Sequence, residues 1–376
     1  MRKVDLIKTI YVEKALQDGP VARHVYEHAP EDVKIEVVED SREVLSGFRK
    51  TGQREARDAL MLYSFPGKFL SSCPGSDGMV CCNYMVINLG VGCLFDCHYC
   101  YLQNFLNNPL MTVHANLDAM FSELDFKTRN QKVRFRIGTG EYTDSLVLEP
   151  LTGLSSRLVE YFARKDNALL ELKTKSSNVD TLLDLDHRGH TVMSWSVNPP
   201  RVVEAVEEGT ANLDERLAAA GRAARAGYKI AFHLDPVIYY EDWETEYHAL
   251  IERLLDSVNP DQIAWISLGS FRYAPGLKER IQARFPEDEL TRAEMVQGTD
   301  GKYRYFKTIR SEMYVSIRKK IAQLDSRQFL YLCMETQRMW DRVFGHVPES
   351  ARKLDAGFED RRRYIENLAQ APAQRG

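Results

Sequence analysis

Cys93, Cys97 and Cys100 stand in the run GCLFDCHYCYLQ (92–103), a C-x3-C-x2-C spacing. Three thiolates so close in sequence can ligate three irons of a cubane iron–sulfur cluster, and the motif offers no protein ligand for the fourth iron. An open iron is a position for a substrate or cosubstrate, not the end point of simple electron transfer. The competing readings are a zinc site and a buried thiol cluster. Zinc sites usually pair two C-x2-C motifs or add distant histidines, whereas the only histidine close by is His98, between two of the cysteines.

Three more cysteines, Cys73, Cys81 and Cys82, lie just upstream in SSCPGSDGMVCCNY, and Cys333 stands apart. Six of the seven therefore crowd into Cys73–Cys100, the pattern of a site. The upstream three have three readings: buried small hydrophobes, redox-active thiols, or ligands of an additional metal or cluster. Adjacent Cys81 and Cys82 are poorly placed to bridge each other, but either could pair with Cys73.

Elements must position these groups. Six β-rich runs are predicted as strands: Tyr84–Asn88, Val133–Ile137, Leu169–Lys173, Val192–Val197, Ile230–Leu234 and Ile263–Leu268. Helical patterns lie between them. The clearest has Asn212 as N-cap, an apolar face of Leu213, Leu217, Ala220 and Ala224, and Gly227 at its end. Strands alternating with helices predict a parallel sheet with right-handed crossovers. An incomplete (β/α)6 TIM-like barrel is the natural closure, with chemistry at the C-terminal ends of its strands. The cysteine loop leaves the end of the first strand, as that architecture requires. Residues 1–83 are expected to form an N-terminal extension with a helical stretch near Arg54–Leu62, residues 84–270 the barrel core, and residues 271–376 the C-terminal elements that close it. In that last part YRYF (303–306) and Met313–Val315 read as a hairpin or cap. Gln328–Leu332, Met339–Phe344 and the charged stretch after Ala351 read as helical, and the tail from Pro372 as frayed.

With 376 residues, 44% hydrophobic and 28% charged, the chain has the composition of a soluble globular protein. No apolar run nears the roughly eighteen residues of a membrane span. Charges interrupt the N-terminal MRKVDLIKTIYVEKAL, so it does not read as a signal peptide. A cytoplasmic, reducing setting is expected, in which cysteines serve as ligands or redox groups rather than disulfides. The net charge of −4 gives no support for strong non-specific nucleic-acid binding. Local basic segments at Lys302–Arg310 and Arg318–Lys320 read on charge alone as solvated faces.

Beyond the cysteine loop, the chain carries DSLVLEPLT (144–152), LKTKSSNVDTLL (172–183), SWSVNPP (194–200), ERLAAAGRAARAGYKIAFHLDPVI (215–238) and Trp243. Together these resemble the spore photoproduct lyase family of radical S-adenosylmethionine (SAM) proteins over nearly the whole length. The resemblance implies a 4Fe-4S cluster on Cys93, Cys97 and Cys100, with SAM on the open iron. It implies reductive cleavage of SAM to a 5′-deoxyadenosyl radical that abstracts hydrogen from a substrate, in this family a thymine-dimer photoproduct in DNA. Tyr99 and Tyr101 would line the SAM pocket, Tyr99 by packing and stacking and Tyr101 with a relay role open. Thr143, Lys175, Ser196 and Asp235 take the family's SAM-contact positions, Lys175 for the SAM carboxylate. The lyases have a small apolar residue where this chain has Asp235. Arg304 and Tyr305 fall where the family has its lesion-probing hairpin. A reducing protein such as flavodoxin or ferredoxin, and DNA or a nucleotide, are the implied partners.

One departure bears on the reaction itself. The lyases carry a hydrogen-donating cysteine after the second strand, in a C-T-S-D run. This chain reads EYTD, with Glu141 in the cysteine's place. The local GTGE resembles instead the GGE motif with which many radical SAM enzymes hold the SAM amine. Hydrogen return would then fall to Tyr101 or to the Cys73, Cys81 and Cys82 group. Two alternatives follow: radical SAM chemistry on another nucleotide or peptide substrate, or a non-catalytic iron–sulfur protein that binds nucleic acid or senses redox state.

Overall fold

The computed structural model describes residues 3–50, 56–73, 75–76 and 78–370. The chain divides into two compact units, the first made of Met1–Cys73, Met85–Thr191 and Glu207–Ala211, the second of Pro74–Tyr84, Val192–Val206 and Asn212–Gly376. The strands in chain order begin with β1 (Thr9–Glu13), β2 (Lys34–Val38), β3 (Ala56–Tyr63), β4 (Leu70–Ser72) and β5 (Met85–Ile87). There follow β6 (Gly90–Val91), β7 (Asp96–Cys97), β8 (Leu110–His114), β9 (Phe135–Gly138) and β10 (Ala168–Thr174). Next come β11 (Thr191–Ser196) and β12 (Glu207–Glu208), then β13 (Lys229–Val237), β14 (Ile263–Ser270), β15 (Arg272–Tyr273), β16 (Val296–Gln297), β17 (Tyr303–Arg304) and β18 (Leu330–Leu332).

In the first unit β2, β1, β3 and β8 run parallel, and β6 closes that sheet antiparallel to β8. Beside this, β5 pairs parallel with β9, β9 parallel with β10, and β4 flanks β5 antiparallel. In the second unit β11, β13, β14 and β18 are parallel in that order. The strand cores are fully buried: Val86, Ile137, Leu170 and Leu172 in the first unit, Trp195, Phe232 and Leu268 in the second. Burial on both faces is why these strands read as apolar runs without alternation.

All six strands expected from the sequence form, as β5, β9, β10, β11, β13 and β14. The helix after Asn212 spans Leu213–Arg225, and its N-terminus is a capping box. The Asn212 side chain accepts from Glu215 N while Glu215 accepts from Asn212 N, a device that contributes about 1 kcal/mol.

Three expectations are corrected. Arg54–Leu62 is not helical where described: Ala56–Tyr63 is β3, a central strand between β1 and β8. Its Leu60, Met61 and Leu62 are all buried, which erases the alternation that marks a strand. Gln328–Leu332 is not helical either; Leu330–Leu332 is β18, a further parallel strand beside β14. Met313–Val315 is no cap but the middle of the helix Lys307–Leu324, with Met313 and Tyr314 buried. Tyr303–Arg304 does form a hairpin with β16, but β15 joins it as a third strand. Met339–Phe344 and the stretch after Ala351 are helical as expected, as Gln337–Phe344 and Ala351–Gln370. The tail from Pro372, and Arg54 itself, lie outside the described residues. No described helix is long and apolar enough to cross a membrane.

Candidate active site

The cysteine loop is anchored before and after its thiols. Leu94 and Phe95 are buried, and Asp96 is ion-paired with Arg57 at 2.5 Å. Around the second and third cysteines the chain turns tightly, with Cys100 N donating to Cys97 O at 3.0 Å. The Gln103 side-chain amide then donates to the carbonyls of His98 (2.8 Å) and Cys97 (3.2 Å), satisfying backbone groups that the turn leaves open. β7 pairs antiparallel with β12, which sets Glu207 opposite Cys97.

Cys97 is buried, Cys93 and Cys100 are half-buried, and none of the seven cysteines is in a disulfide. Burial pushes the Cys93 thiol up to about 12, with Asp144 adding to the shift, while backbone N–H groups of Phe95 and Asp144 oppose it. Burial also raises Cys97 well above its ordinary value; Lys175 works against the rise, and Glu207, Cys100 and Cys93 add to it. Two desolvated thiols, Cys93 and Cys97, thus lie within electrostatic reach of Cys100, which disfavours the thiolate of each, and Cys93 adds to the effect on Cys97. Bound iron would reverse that balance, because a cation at the thiolates replaces both the lost water and the mutual repulsion. Among the described residues, no three His, Cys, Asp or Glu side chains converge tightly enough for a single metal ion. The cysteines of a cubane each take a separate iron and need not converge so closely. The residues present therefore fit a cluster with three thiolate ligands.

The loop after β9 lies against this one, with Gly92 N donating to Tyr142 O at 2.9 Å. Gly140 has a φ of 93°, and a Cβ there would fall 2.8 Å from Lys173 O and 3.1 Å from Ser145 Oγ. Only glycine lets the chain turn that close to β10. Asp144 is the hub of the turn. Its Oδ1 accepts from Leu146 N (2.9 Å), Val147 N (2.9 Å) and Thr174 Oγ1 (2.7 Å), and its Oδ2 from Lys175 N (2.7 Å). Ser145 Oγ adds a bond from Lys173 N at 3.0 Å and a contact to Thr139 Oγ1 at 2.5 Å. The ends of β9 and β10 are locked together, and Glu141, Thr143 and Lys175 stand on the locked frame. Thr143 Oγ1 is buried without a hydrogen-bond partner among the described residues. Such an orphaned hydroxyl in a polar loop suits a site that receives a ligand.

Tyr101 joins the two loops, and Tyr99 joins the cysteine loop to Glu207 and Lys175. Tyr101 OH donates to Glu141 O at 2.6 Å, and burial, followed by Glu141, raises its hydroxyl's pKa. Tyr99 OH donates to the Glu207 carboxylate, and the Lys175 ammonium lies 5.4 Å from the centre of its ring. The first unit therefore carries Cys93, Cys97, Cys100, Tyr99, Tyr101, Glu141, Thr143 and Lys175 on adjoining loops and strand ends.

The remaining residues expected at the site belong to the second unit. Ser196 ends β11, is buried, and its carbonyl accepts from the buried Arg216 at 2.9 Å. Asp235, in β13, is ion-paired with Arg272 at 3.0 Å, and Arg272 in turn reaches Cys333 Sγ at 3.9 Å. Arg304 is buried and closed on Asp300 at 2.7 Å; Tyr305 is buried and its hydroxyl accepts from Tyr239 N at 3.2 Å. Neither of these two stands on the surface. Cys81 is exposed and Cys82 half-buried, in a segment tied to the end of β18 by Val80 N donating to Glu335 O at 2.9 Å. Cys73 is half-buried in the first unit.

Sequence reading missed two supports. Asp144 was visible inside DSLVLEPLT but carried no sign of its four bonds. Glu207, in the plain VEEGT text, gave no signal at all.

A family model described as spore photoproduct lyase matches residues 70–334. The spore photoproduct lyase of Bacillus subtilis is 31% identical over 228 residues, 59% of this chain and 64% of that protein. That match spans just under two thirds of the relative's length. A spore photoproduct lyase from Geobacillus sp. is 29% identical over 294 residues, 75% of this chain and 84% of that protein. Among solved structures, a spore photoproduct lyase mutant with dinucleoside spore photoproduct superposes with a TM-score of 0.76 at 28% identity, covering 87% of this chain and 99% of that one. Another mutant, with bound AdoMet and dinucleoside spore photoproduct, gives 0.74 at 26% identity over the same shares. The fold is accordingly α/β with the incomplete barrel of radical SAM type, the class expected from the sequence.

Proposed function

The chain belongs to the spore photoproduct lyase family, and from that membership we propose that it is a radical SAM iron–sulfur enzyme acting on a thymine-dimer photoproduct in DNA. The observation that carries this reading is the assembly in the first unit, where the thiols of Cys93, Cys97 and Cys100 share a frame with Lys175, Glu141 and Tyr99. Cys93, Cys97 and Cys100 would hold a 4Fe-4S cluster. When bound, the cluster supplies the electron for reductive cleavage of SAM to methionine and a 5′-deoxyadenosyl radical. Lys175 offers an ammonium to the SAM carboxylate, and Glu141 a carboxylate to its amine. Thr143 contributes a hydroxyl with no competing partner. Ser196 and Asp235, in the second unit, take SAM-contact positions by resemblance to the family, Asp235 with its charge already balanced by Arg272. Buried walls at Leu94, Phe95 and Leu102 exclude water and stray thiols from the site.

On this reading residues 84–270 are the catalytic core, with 1–83 an extension and 271–376 the closing elements. The partners are DNA and a reducing protein such as flavodoxin or ferredoxin, in the cytoplasm. Arg304 and Tyr305 would serve the lesion once the bond between Arg304 and Asp300 opens.

A second reading keeps the chemistry and changes the substrate to another nucleotide or a peptide. It is favoured by Glu141, which cannot return a hydrogen atom as a thiol does. One experiment tests both. Anaerobically reconstituted protein is reduced with dithionite, and SAM cleavage is followed with and without deuterated dinucleotide spore photoproduct. Deuterium appearing in 5′-deoxyadenosine supports the first reading. Cleavage of SAM with no transfer from the photoproduct leaves the second, and no cleavage under any condition removes both.

A further inference from the structure

Residues 207–211 belong to the first unit, although the chain on either side of them belongs to the second. Bonds of this short segment reach the candidate site. Glu207 faces Cys97 across the β7–β12 pair. Its carboxylate accepts the Tyr99 hydroxyl. Its carbonyl accepts from Thr210 N (3.2 Å) and Thr210 Oγ1 (2.8 Å), which fix the residue's backbone. Ala211 N donates to Lys175 O at 3.1 Å. Glu207 is only 2% exposed. A carboxylate costs several kcal/mol to bury, so such a group persists only where its bonds require it.

The tyrosine it holds has one ring face toward the Lys175 ammonium. A phenol ring on two rotatable bonds keeps such a face only if its far end is tethered. We propose that Glu207 is a positioning residue for SAM: by holding the Tyr99 hydroxyl it fixes the ring that, with Lys175, forms the wall against which SAM docks. The inference rests on the SAM reading of this site. It adds a residue that neither the cysteine motif nor the SAM-contact positions include.

The test uses reconstituted, oxidised holoprotein, in which SAM binds without being cleaved, and compares Glu207→Leu, Glu207→Gln, Tyr99→Phe and the Glu207→Leu/Tyr99→Phe double variant. Iron and sulfide content are measured beside SAM affinity by calorimetry. Expected are a full iron complement throughout, roughly tenfold weaker SAM binding in Glu207→Leu and in Tyr99→Phe, and no further loss in the double variant. Glu207→Gln keeps an acceptor for the phenol and should bind SAM within about twofold of the parent. Iron lost in step with affinity in Glu207→Leu, with Tyr99→Phe unaffected, would make Glu207 a staple of the cysteine loop and overturn the proposal. Additive losses in the double variant would also overturn it. Lys175→Ala separates the two levels: if it binds SAM normally while Glu207→Leu and Tyr99→Phe weaken binding together, the role of Lys175 falls and that of Glu207 stands. If no variant affects SAM affinity, both fall.

Discussion

Lys175 reaches its place through its backbone as much as its charge, since Asp144 holds its N–H and the neighbouring Thr174 hydroxyl. Its ammonium is thereby presented to Tyr99 and set within electrostatic reach of Cys97, whose thiol it partly relieves. Losing one charge-assisted bond should weaken SAM binding by about 1.5–3 kcal/mol in Lys175→Ala, and somewhat less in Glu141→Gln. Parent-like SAM affinity in both variants would remove these two roles. The three cysteines are tested at the same scale. Each Cys→Ala change at 93, 97 or 100 should abolish the cluster's visible absorbance and its iron. A full iron complement in any one of them contradicts the ligand assignment.

The elements decide whether those residues meet, and one histidine shows how. His114 ends β8 and is fully buried, its ring stacked on Phe65 at 3.9 Å. Its Nδ1 lies 2.9 Å from Asn88 O, and its backbone N–H donates to Leu89 O. It therefore clamps the segment that leads from β5 into the cysteine loop. Burial pushes its pKa down to about 4, against a small opposing effect of the Asn88 carbonyl. The unfolded chain has a histidine near 6.5, so below that pH the unfolded state takes up a proton that the folded state refuses. The contribution is full above 6.5 and is lost as pH falls toward 4, amounting to about 2 kcal/mol by pH 5. Denaturant titrations at pH 7.5 and 5 should show this loss in the parent and a flatter response in His114→Gln; equal pH slopes would exclude the clamp as its cause. The same level shows where sequence reading stops. The six barrel strands were legible because each is an apolar run bounded by turn residues. β3 and β18 were not, because Leu60–Leu62 and Leu330–Leu332 are short apolar runs whose burial hides their period. The cysteines, Glu141 and Lys175 were legible from type and spacing. Glu207 and the bonds of Asp144 to Thr174 and Lys175 were not, because what makes them matter is contact across 30 or more residues of chain.

At the scale of the molecule, the proposed repair reaction needs a hydrogen atom returned to the substrate radical at the end, and the resemblance puts Glu141 where the lyases carry the cysteine that gives it. Glu141 sits on the frame held by Gly140 and Asp144, and its carbonyl is occupied by Tyr101. Its carboxylate can orient an amine, but it has no weak bond to hydrogen. A thiol yields its hydrogen to a carbon radical more readily than a phenol does, so Cys73, Cys81 and Cys82 rank above Tyr101 as replacements if any of them reaches the substrate. The protein should therefore cleave SAM normally yet return little clean thymine from spore photoproduct, with side products accounting for the rest. Glu141→Cys restores a thiol on an otherwise unchanged frame, at the expense of some SAM affinity through the lost carboxylate. Product analysis on the dinucleotide substrate should show clean thymine rising in that variant even where total SAM turnover falls. Clean repair by the parent, unchanged when Cys73, Cys81 and Cys82 are all replaced by alanine, would instead mean that Tyr101 returns the hydrogen and that the thiol was dispensable on this frame.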